Sequence, residues 1–367
     1  MERLKKLIMG VINILVPILF ALAVGAAFIA VSGKNPLSVY AFLIKQSLFN
    51  ELGLLNTLAS ATPIIMTGLG IAISFKSGLY NMGIEGQMYA GAFFAAYLGF
   101  TISGLPSVVH IAICILGGML MGMLYSLIPS ILKARFHVDE MVSTMMLNYV
   151  AIIFTKYLTN GPFYGFTGFP ATVFINDSAK LPRFNPKVTF TPAFIIALVL
   201  VLIFVVIYRK MKLGYEIEAM GKQVYFSDSV GMRVEKKIIV IFLIAGAVSG
   251  IAGATEVLGV HSRFISGFSA NPGLGWDGML VALLASNNPI GIVFAAILFG
   301  ALKYGGTTLQ IFMGVSNDTI GIIQAALILF LSVRYIKQDS VLALRLENFL
   351  NKLAGKKEKT GEAATHE

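Results

Sequence analysis

From Ile8 to Ser32 the chain runs for 25 residues without one charged side chain, and runs of this kind recur along most of its length. About 20 consecutive apolar residues suffice to cross the hydrocarbon core of a bilayer as a helix. Lipid leaves such a segment little choice but helix, because it offers no partner to an unpaired backbone N–H or C=O. Further runs lie at 55–75, 79–102, 107–132, 141–158, 191–208, 238–257, 276–285, 289–304 and 318–333, which makes ten. The predicted fold class is therefore all-α, a polytopic membrane protein of about ten transmembrane helices; the eighth run is short and flanked by glycine. The opening Met1-Glu2-Arg3-Leu4-Lys5-Lys6 resembles the start of a signal peptide. The run behind it exceeds the roughly 7–15 residues of a signal core, so an uncleaved first helix is expected. Composition agrees. Of 367 residues 57% are hydrophobic and 13% charged, against about 45–50% and about 25% in soluble domains. That is too little charge to cover a soluble surface, and a soluble enzyme is excluded. The single cysteine, Cys114, lies inside an apolar run and reads as a small buried hydrophobe.

The formal net charge is +10, and its placement tests the helix count. Arg3, Lys5 and Lys6 precede the first run, and Lys133 and Arg135 follow the fourth. Arg209, Lys210, Lys212, Lys222, Arg233, Lys236 and Lys237 lie between the sixth and seventh, and Arg334 and Lys337 follow the tenth. Lysine and arginine accumulate in the cytoplasmic loops of membrane proteins. With ten helices and a cytoplasmic N-terminus, all of these segments fall inside, and both termini are expected there. The basic excess faces membrane lipid, so no nucleic acid need be invoked. Segment 160–190, rich in Gly, Pro and aromatic residues, then forms an ordered external loop. Residues 1–340 read as the transmembrane domain, with a cytoplasmic loop at 213–236, and residues 341–367 as a partly disordered cytoplasmic tail.

An ionisable group at membrane depth marks a functional path by default, and two places qualify. Tyr80-Asn81-Met82-Gly83-Ile84-Glu85-Gly86-Gln87 opens the third run and Gly273-Leu274-Gly275-Trp276-Asp277-Gly278 opens the eighth. Each contains Gly-X-acid-Gly, five helices apart. Five is odd, so the two stretches enter from opposite faces, the arrangement of a 5+5 inverted repeat; in transporters such Gly-interrupted segments point to the binding path. The candidate path residues are Asn81, Glu85, Gln87, Trp276, Asp277, Asn287 and Asn288. Each also has a plainer role: Glu85 as a helix cap, Asn81 and Gln87 as interhelical hydrogen bonds, Trp276 as an interface anchor, and Asn287-Asn288-Pro289 as a turn. Glu256 and His261 read as a solvated rim. Gly118-Met119-Leu120-Met121-Gly122 and Gly246-Ala247-Val248-Ser249-Gly250 read as close helix contacts. No G-x-x-x-x-G-K-[ST], H-E-x-x-H or Cys/His cluster occurs, so neither an ATPase site, a metal site nor a catalytic constellation is expected in this chain.

Between the sixth and seventh runs, Gly221 and Gly231 bracket a stretch free of Gly and Pro. Val224, Tyr225 and Phe226 give it an apolar strip, and Ser227, Asp228 and Ser229 a polar side. The pattern predicts one short helix lying on the membrane surface, broken at each end by glycine. It is either a plain connector or a docking knob for a cytoplasmic partner.

Taken together, the 78–87 stretch, the 219–231 loop, Glu256-Val257-Leu258-Gly259-Val260-His261 and the stretch from Gly275-Trp276-Asp277-Gly278 through Asn287-Asn288-Pro289 resemble the permease subunits of bacterial ABC importers. The group is that of branched-chain amino acids and simple sugars, and the similarity is greatest to the basic-membrane-protein-linked nucleoside importers of Gram-positive bacteria. It covers about 55–335. One departure is Tyr80, where that family usually has Phe. The resemblance implies a second, homologous permease, a cytoplasmic ABC ATPase that binds ATP and Mg, and an extracytoplasmic substrate-binding lipoprotein, all at the bacterial cell membrane. This chain itself would hold no cofactor and perform no bond chemistry. Gly221, Val224, Tyr225, Phe226, Asp228 and Gly231 would then form the loop that couples to the ATPase. Nucleoside import is the first expectation and simple-sugar import the second. A carrier driven by an ion gradient would explain the repeat equally well, but not the glycine-bracketed loop.

Overall fold

The computed structural model describes residues 19–20, 22–166, 168–269, 273–315, 321–322 and 325–326. Most of the predicted helix at 318–333, residues 8–18 of that at 8–32, and the tail lie outside them. The chain divides into two units, of which the second, Phe28–Gly321, carries nearly all of the described residues. Among the described residues there is no strand; the elements are helices joined by ordered loops.

A short helix α1 (Leu22–Val31) precedes α2 (Pro36–Ile44), which ends in a π turn at Lys45–Phe49. Then come α3 (Glu51–Lys76), α4 (Ile84–Thr101), α5 (Ser107–Phe136), α6 (Glu140–Asn160) and α7 (Ala193–Lys210). Two short helices, α8 (Lys212–Lys222) and α9 (Val224–Ser229), lead to α10 (Val234–Glu256), α11 (Leu274–Leu284) and α12 (Pro289–Met313). Among the described residues six helices are long and apolar enough to span a bilayer: α3, α5, α6, α7, α10 with its π turn, and α12. The predicted run at 79–102 becomes helical only at Ile84, and the helix predicted at 276–285 has 11 residues. At about 1.5 Å per residue α11 covers about half of a bilayer core of about 30 Å. Helix α2 was not anticipated, because its nine residues are too few to register as a span.

α3 and α10 are the inner helices, with 83% and 72% of their apolar stretches buried, while α5, α6 and α7 bury only 22–28% and present Leu116, Leu120, Leu124, Ile153 and Leu202 outward. Helix α4 is also enclosed, which explains why it tolerates Glu85 and Gln87: a helix wrapped in protein need not satisfy lipid. A close three-helix contact joins α4, α5 and α10. A Cβ added at Gly91 would sit 2.5 Å from the Cα of Gly250 and 2.8 Å from the carbonyl oxygen of Gly118, and one at Gly246 would meet the Gly122 carbonyl. Both GxxxG stretches read from the sequence therefore meet each other backbone to backbone. Cys114 is buried, as expected.

The two ends of this unit differ. At one, Lys76, Lys133, Arg209 and Lys237 gather around α8 and the start of α6: Lys133 pairs with Glu140 at 2.6 Å and Lys237 with Glu216 at 2.5 Å. At the other, segment 160–190 packs as a cap against the loop after α10. Thr172 N donates to Phe264 O, Ile175 N to Ser262 O and Leu181 N to Leu258 O, tying it to the loop after α10.

Candidate functional site

The chain leaves α3 at Lys76 and crosses 77–83 without helix before α4 begins. A non-helical segment inside a bundle must find partners for its backbone, and α6 supplies them from one stripe at a spacing of four, the helical repeat. Glu140 Oε1 accepts from Tyr80 N (3.3 Å), Thr144 Oγ1 from Met82 N (3.1 Å) and Asn148 Oδ1 from Gly86 N (2.7 Å), while Asn148 Nδ2 donates to Met82 O (2.7 Å). Asn81 is buried; its Oδ1 accepts from Gly83 N at 3.0 Å and from Gln87 Nε2 at 3.4 Å. Asn81 Nδ2 and Gln87 Oε1, one donor and one acceptor, are buried without a partner among the described residues.

Glu85, in the first turn of α4, reaches across to the start of α11. Its Oε2 accepts from Gly275 N at 2.6 Å, and Ser269 Oγ, which also hydrogen-bonds Glu85, accepts from Leu274 N at 2.7 Å. Thr67 Oγ1 of α3 donates to Leu274 O at 3.0 Å. Gly273 (φ +110) brings the backbone so close that an added Cβ would lie 2.8 Å from Glu85 Oε1. The two Gly-X-acid-Gly stretches thus touch, and the N-termini of α4 and α11 meet inside the bundle. From there the helices run apart: α4 toward Asn176, whose N–H bonds Gly99 O, and α11 toward Asn287 beside Lys76. The glutamate caps a helix end, the role its dipole favours, but the helix is α11 and not its own.

Asp277, one turn further on, is buried and paired with Lys303 of α12 at 2.8 Å. Trp276 is half-buried on the same turn. Lys303 borders a cavity of about 270 Å³ whose other polar groups include Glu256, His261, Ser269 and Tyr304, with Phe268 and Leu274 on the apolar wall. Glu256 and His261 are not a solvated rim: their side chains are 12% and 25% exposed and face one another, 3.8 Å from Oε2 to Nε2. The cause is the π turn Val257–His261 that follows α10, which closes with Ser262 N donating to Val257 O. A π turn repeats at five residues, so positions 256 and 261 stack where an α-helix would splay them.

Asn287 and Asn288 lie apart from this cluster, at the far end of α11. Asn288 caps α12, accepting from Ile290 N (3.0 Å) and Gly291 N (3.4 Å) ahead of Pro289, a standard helix start. Asn287 (φ +59) borders a second cavity, about 210 Å³, with Lys76, Tyr208 and Arg209.

The family described as "Branched-chain amino acid transport system / permease component" matches residues 53–332, which includes every helix from α4 to α12. The chain belongs to that family. The permease is 34% identical over 325 residues to the Guanosine ABC transporter permease protein NupP of Bacillus subtilis, covering 88% of this chain and 92% of the relative. It is 31% identical over 333 residues to the Nucleoside ABC transporter permease protein NupB of Lactococcus lactis (88% and 90%) and 31% over 325 residues to a glucose ABC transporter permease protein of Haloferax volcanii (86% and 85%). No solved structure matches.

In this permease the stretch between Gly221 and Gly231 holds one short helix, α9, as the pattern predicts, but its start is not set by Gly221. Gly221 lies inside α8, and the break falls at Gln223, whose φ of −158° and ψ of 103° are extended. Gly221 is required for another reason: a Cβ there would strike the carbonyl oxygen of Lys76, so α8 lies directly on the end of α3. Gly231 (φ +85) closes α9 as expected. Val224, Tyr225 and Asp228 are exposed, Tyr225 at 86%. Lys303, Ser269 and Thr67 escaped the sequence reading, and Lys303 had a usable signal: it is the only charge between 289 and 304. Thr67 and Ser269 had none, since threonine is ordinary in apolar helices and serine in turns.

Proposed function

We propose that this permease is the membrane subunit of an ATP-driven ABC importer that carries nucleosides into a bacterial cell. The observation that carries the reading is the near full-length similarity to relatives named for guanosine and nucleoside transport. Import of a simple sugar is the second reading, favoured by the glucose permease relative at 31% identity. In the proposed complex a homologous second permease completes the pathway, a cytoplasmic ATPase binds ATP and Mg, and an extracytoplasmic lipoprotein delivers substrate. The exposed surface of α8 and α9, centred on Tyr225, would dock the ATPase. Its contact with the end of α3 through Gly221 offers a rigid route for force into the bundle.

Ten spanning helices in a 5+5 inverted repeat remain our reading of the topology, with both termini cytoplasmic. The antiparallel courses of α4 and α11 from one shared point support it, as does the clustering of basic residues at one end. The pathway would pass this point, with Asn81, Gln87 and Trp276 offering amides and an aromatic face, Glu85 and Asp277 accepting from hydroxyls, and Asn287 and Asn288 at the basic end. Uptake of labelled guanosine into cells carrying the whole transporter, with excess unlabelled nucleoside or glucose as competitor, decides between the two substrates. Competition by glucose alone would refute the nucleoside assignment. Affinity purification in mild detergent tests the assembly: co-purification of a P-loop ATPase and a second permease is expected, and recovery of this chain alone would point to an ion-driven carrier.

A further inference from the structure

We infer that the cavity of about 270 Å³ beside α3, α10 and α12 is a ligand site for a neutral ring compound bearing vicinal hydroxyls, with Glu256 as the group that recognises the diol. The inference rests on the nucleoside reading above and assigns the part of the solute that is recognised.

The electrostatics exclude anions first. Lys303 is already bound to the buried Asp277, so an anion entering the cavity finds no free strong cation and faces Glu256. The unpaired Glu256 would attract a cation as well as a hydroxyl donor, and the nucleoside reading selects the neutral solute of the two.

The second step concerns unspent hydrogen bonding. Polar groups inside a bundle are satisfied as a rule, yet among the described residues the Glu256 carboxylate, which lines the cavity, receives no hydrogen bond; His261 Nε2 stands 3.8 Å from its Oε2. A carboxylate has only acceptors, so the missing partner must bring donors, and its two oxygens match two adjacent hydroxyls. Tyr304 and Thr307 add hydroxyls on the α12 wall.

The third step concerns the ring. Phe268 forms one wall and cannot turn aside, being held by Tyr89 at 4.8 Å between centroids, by Phe264 at 5.6 Å and by His261 at 6.1 Å. A fixed aromatic face opposite a hydrogen-bonding wall is the usual construction of a small-molecule pocket. Thr189 of the cap also borders the cavity, which places its opening at the end where segment 160–190 lies.

The test uses the assembled transporter in lipid nanodiscs. Cys114 is the only cysteine of this chain and is buried, so Ser60→Cys, at the cavity wall, introduces the one accessible thiol. Its modification by a water-soluble maleimide is followed on this subunit's band. Saturating guanosine should slow labelling about tenfold at ten times its dissociation constant, by mass action. A 2′,3′-dideoxy analogue should need about 10- to 100-fold higher concentration for the same protection, the worth of hydrogen bonds to a carboxylate. In Glu256→Gln, which keeps shape and loses charge, that preference should shrink about five- to tenfold. Equal protection by guanosine and its dideoxy analogue, or an unchanged preference in Glu256→Gln, overturns the diol assignment. No protection in a preparation that does transport guanosine overturns the site while the nucleoside reading stands; failure to transport guanosine at all overturns both.

Discussion

The three-helix contact at Gly91 gives a sharp prediction, because two opposing terms can be weighed. Replacing a mid-helix glycine by alanine ordinarily stabilises a helix by about 1 kcal/mol. At Gly91 the new Cβ would lie 2.5 Å from the Cα of Gly250 and 2.8 Å from Gly118 O. Both obstacles are backbone, so no rotamer change relieves them. Restoring ordinary contact at 3.4 Å needs 3.4 − 2.5 = 0.9 Å of separation between α4 and α10. A gap of 0.5–1 Å forfeits about a quarter to a half of each dispersion contact along the seam, and overpacking of this kind costs roughly 1–3 kcal/mol. With the cost at the upper end and the propensity gain subtracted, Gly91→Ala should lose about 2 kcal/mol. Gly68→Ala is the control. There the nearest atoms are a side-chain methyl, Ile292 Cγ2 at 3.2 Å, and the Gly278 carbonyl oxygen at 3.3 Å, which need only 0.1–0.2 Å of relief to reach 3.4 Å, so the two terms should cancel to within about 1 kcal/mol. The assay is thermal unfolding of the purified protein in detergent, read by size-exclusion of the surviving fraction. Gly91→Ala as stable as the parent chain, or Gly68→Ala falling as far as Gly91→Ala, would refute the argument.

Three further expectations rest on contacts of the same kind. Lys303→Met should destabilise by about 2–5 kcal/mol by stranding the buried Asp277, and adding Asp277→Asn should recover most of that loss; a double variant as unstable as the single would show that the pair is not the cause. Asn148→Ala removes the bonds to Gly86 N and Met82 O and should cost about 2 kcal/mol, with hydrogen exchange rising first at Gly86, whose N–H loses its acceptor. Gly221→Leu should leave membrane insertion normal but push α8 off the end of α3, uncoupling ATP hydrolysis from uptake, whereas Gly231→Ala should cost only about 1–2 kcal/mol of left-handed strain. Wild-type uptake in Gly221→Leu would remove α8 from the coupling route.

Membership of the class was legible because lipid imposes it: uncharged runs, basic clusters at one end and the absence of catalytic motifs follow from composition alone. The GxxxG stretches, the ordered cap, the buried Cys114 and the first-turn acids at Glu85 and Asp277 were all visible as local patterns. What those acids touch was not. That Glu85 caps α11, that Asp277 meets Lys303, and that Asn148, Thr144 and Glu140 line up to hold segment 77–83 depends on contacts between residues tens to hundreds of positions apart. A pattern of hydropathy carries the period of a helix but no information on which neighbour it faces. The split of the 219–231 loop into α8 and α9 was likewise decided by packing: Gly221, a helix breaker by propensity, stays helical because only glycine lets α8 lie on the end of α3. The π turn that turns Glu256 and His261 toward one cavity has no sequence signature at all, since one added residue per turn is a property of backbone hydrogen bonds and not of side-chain type.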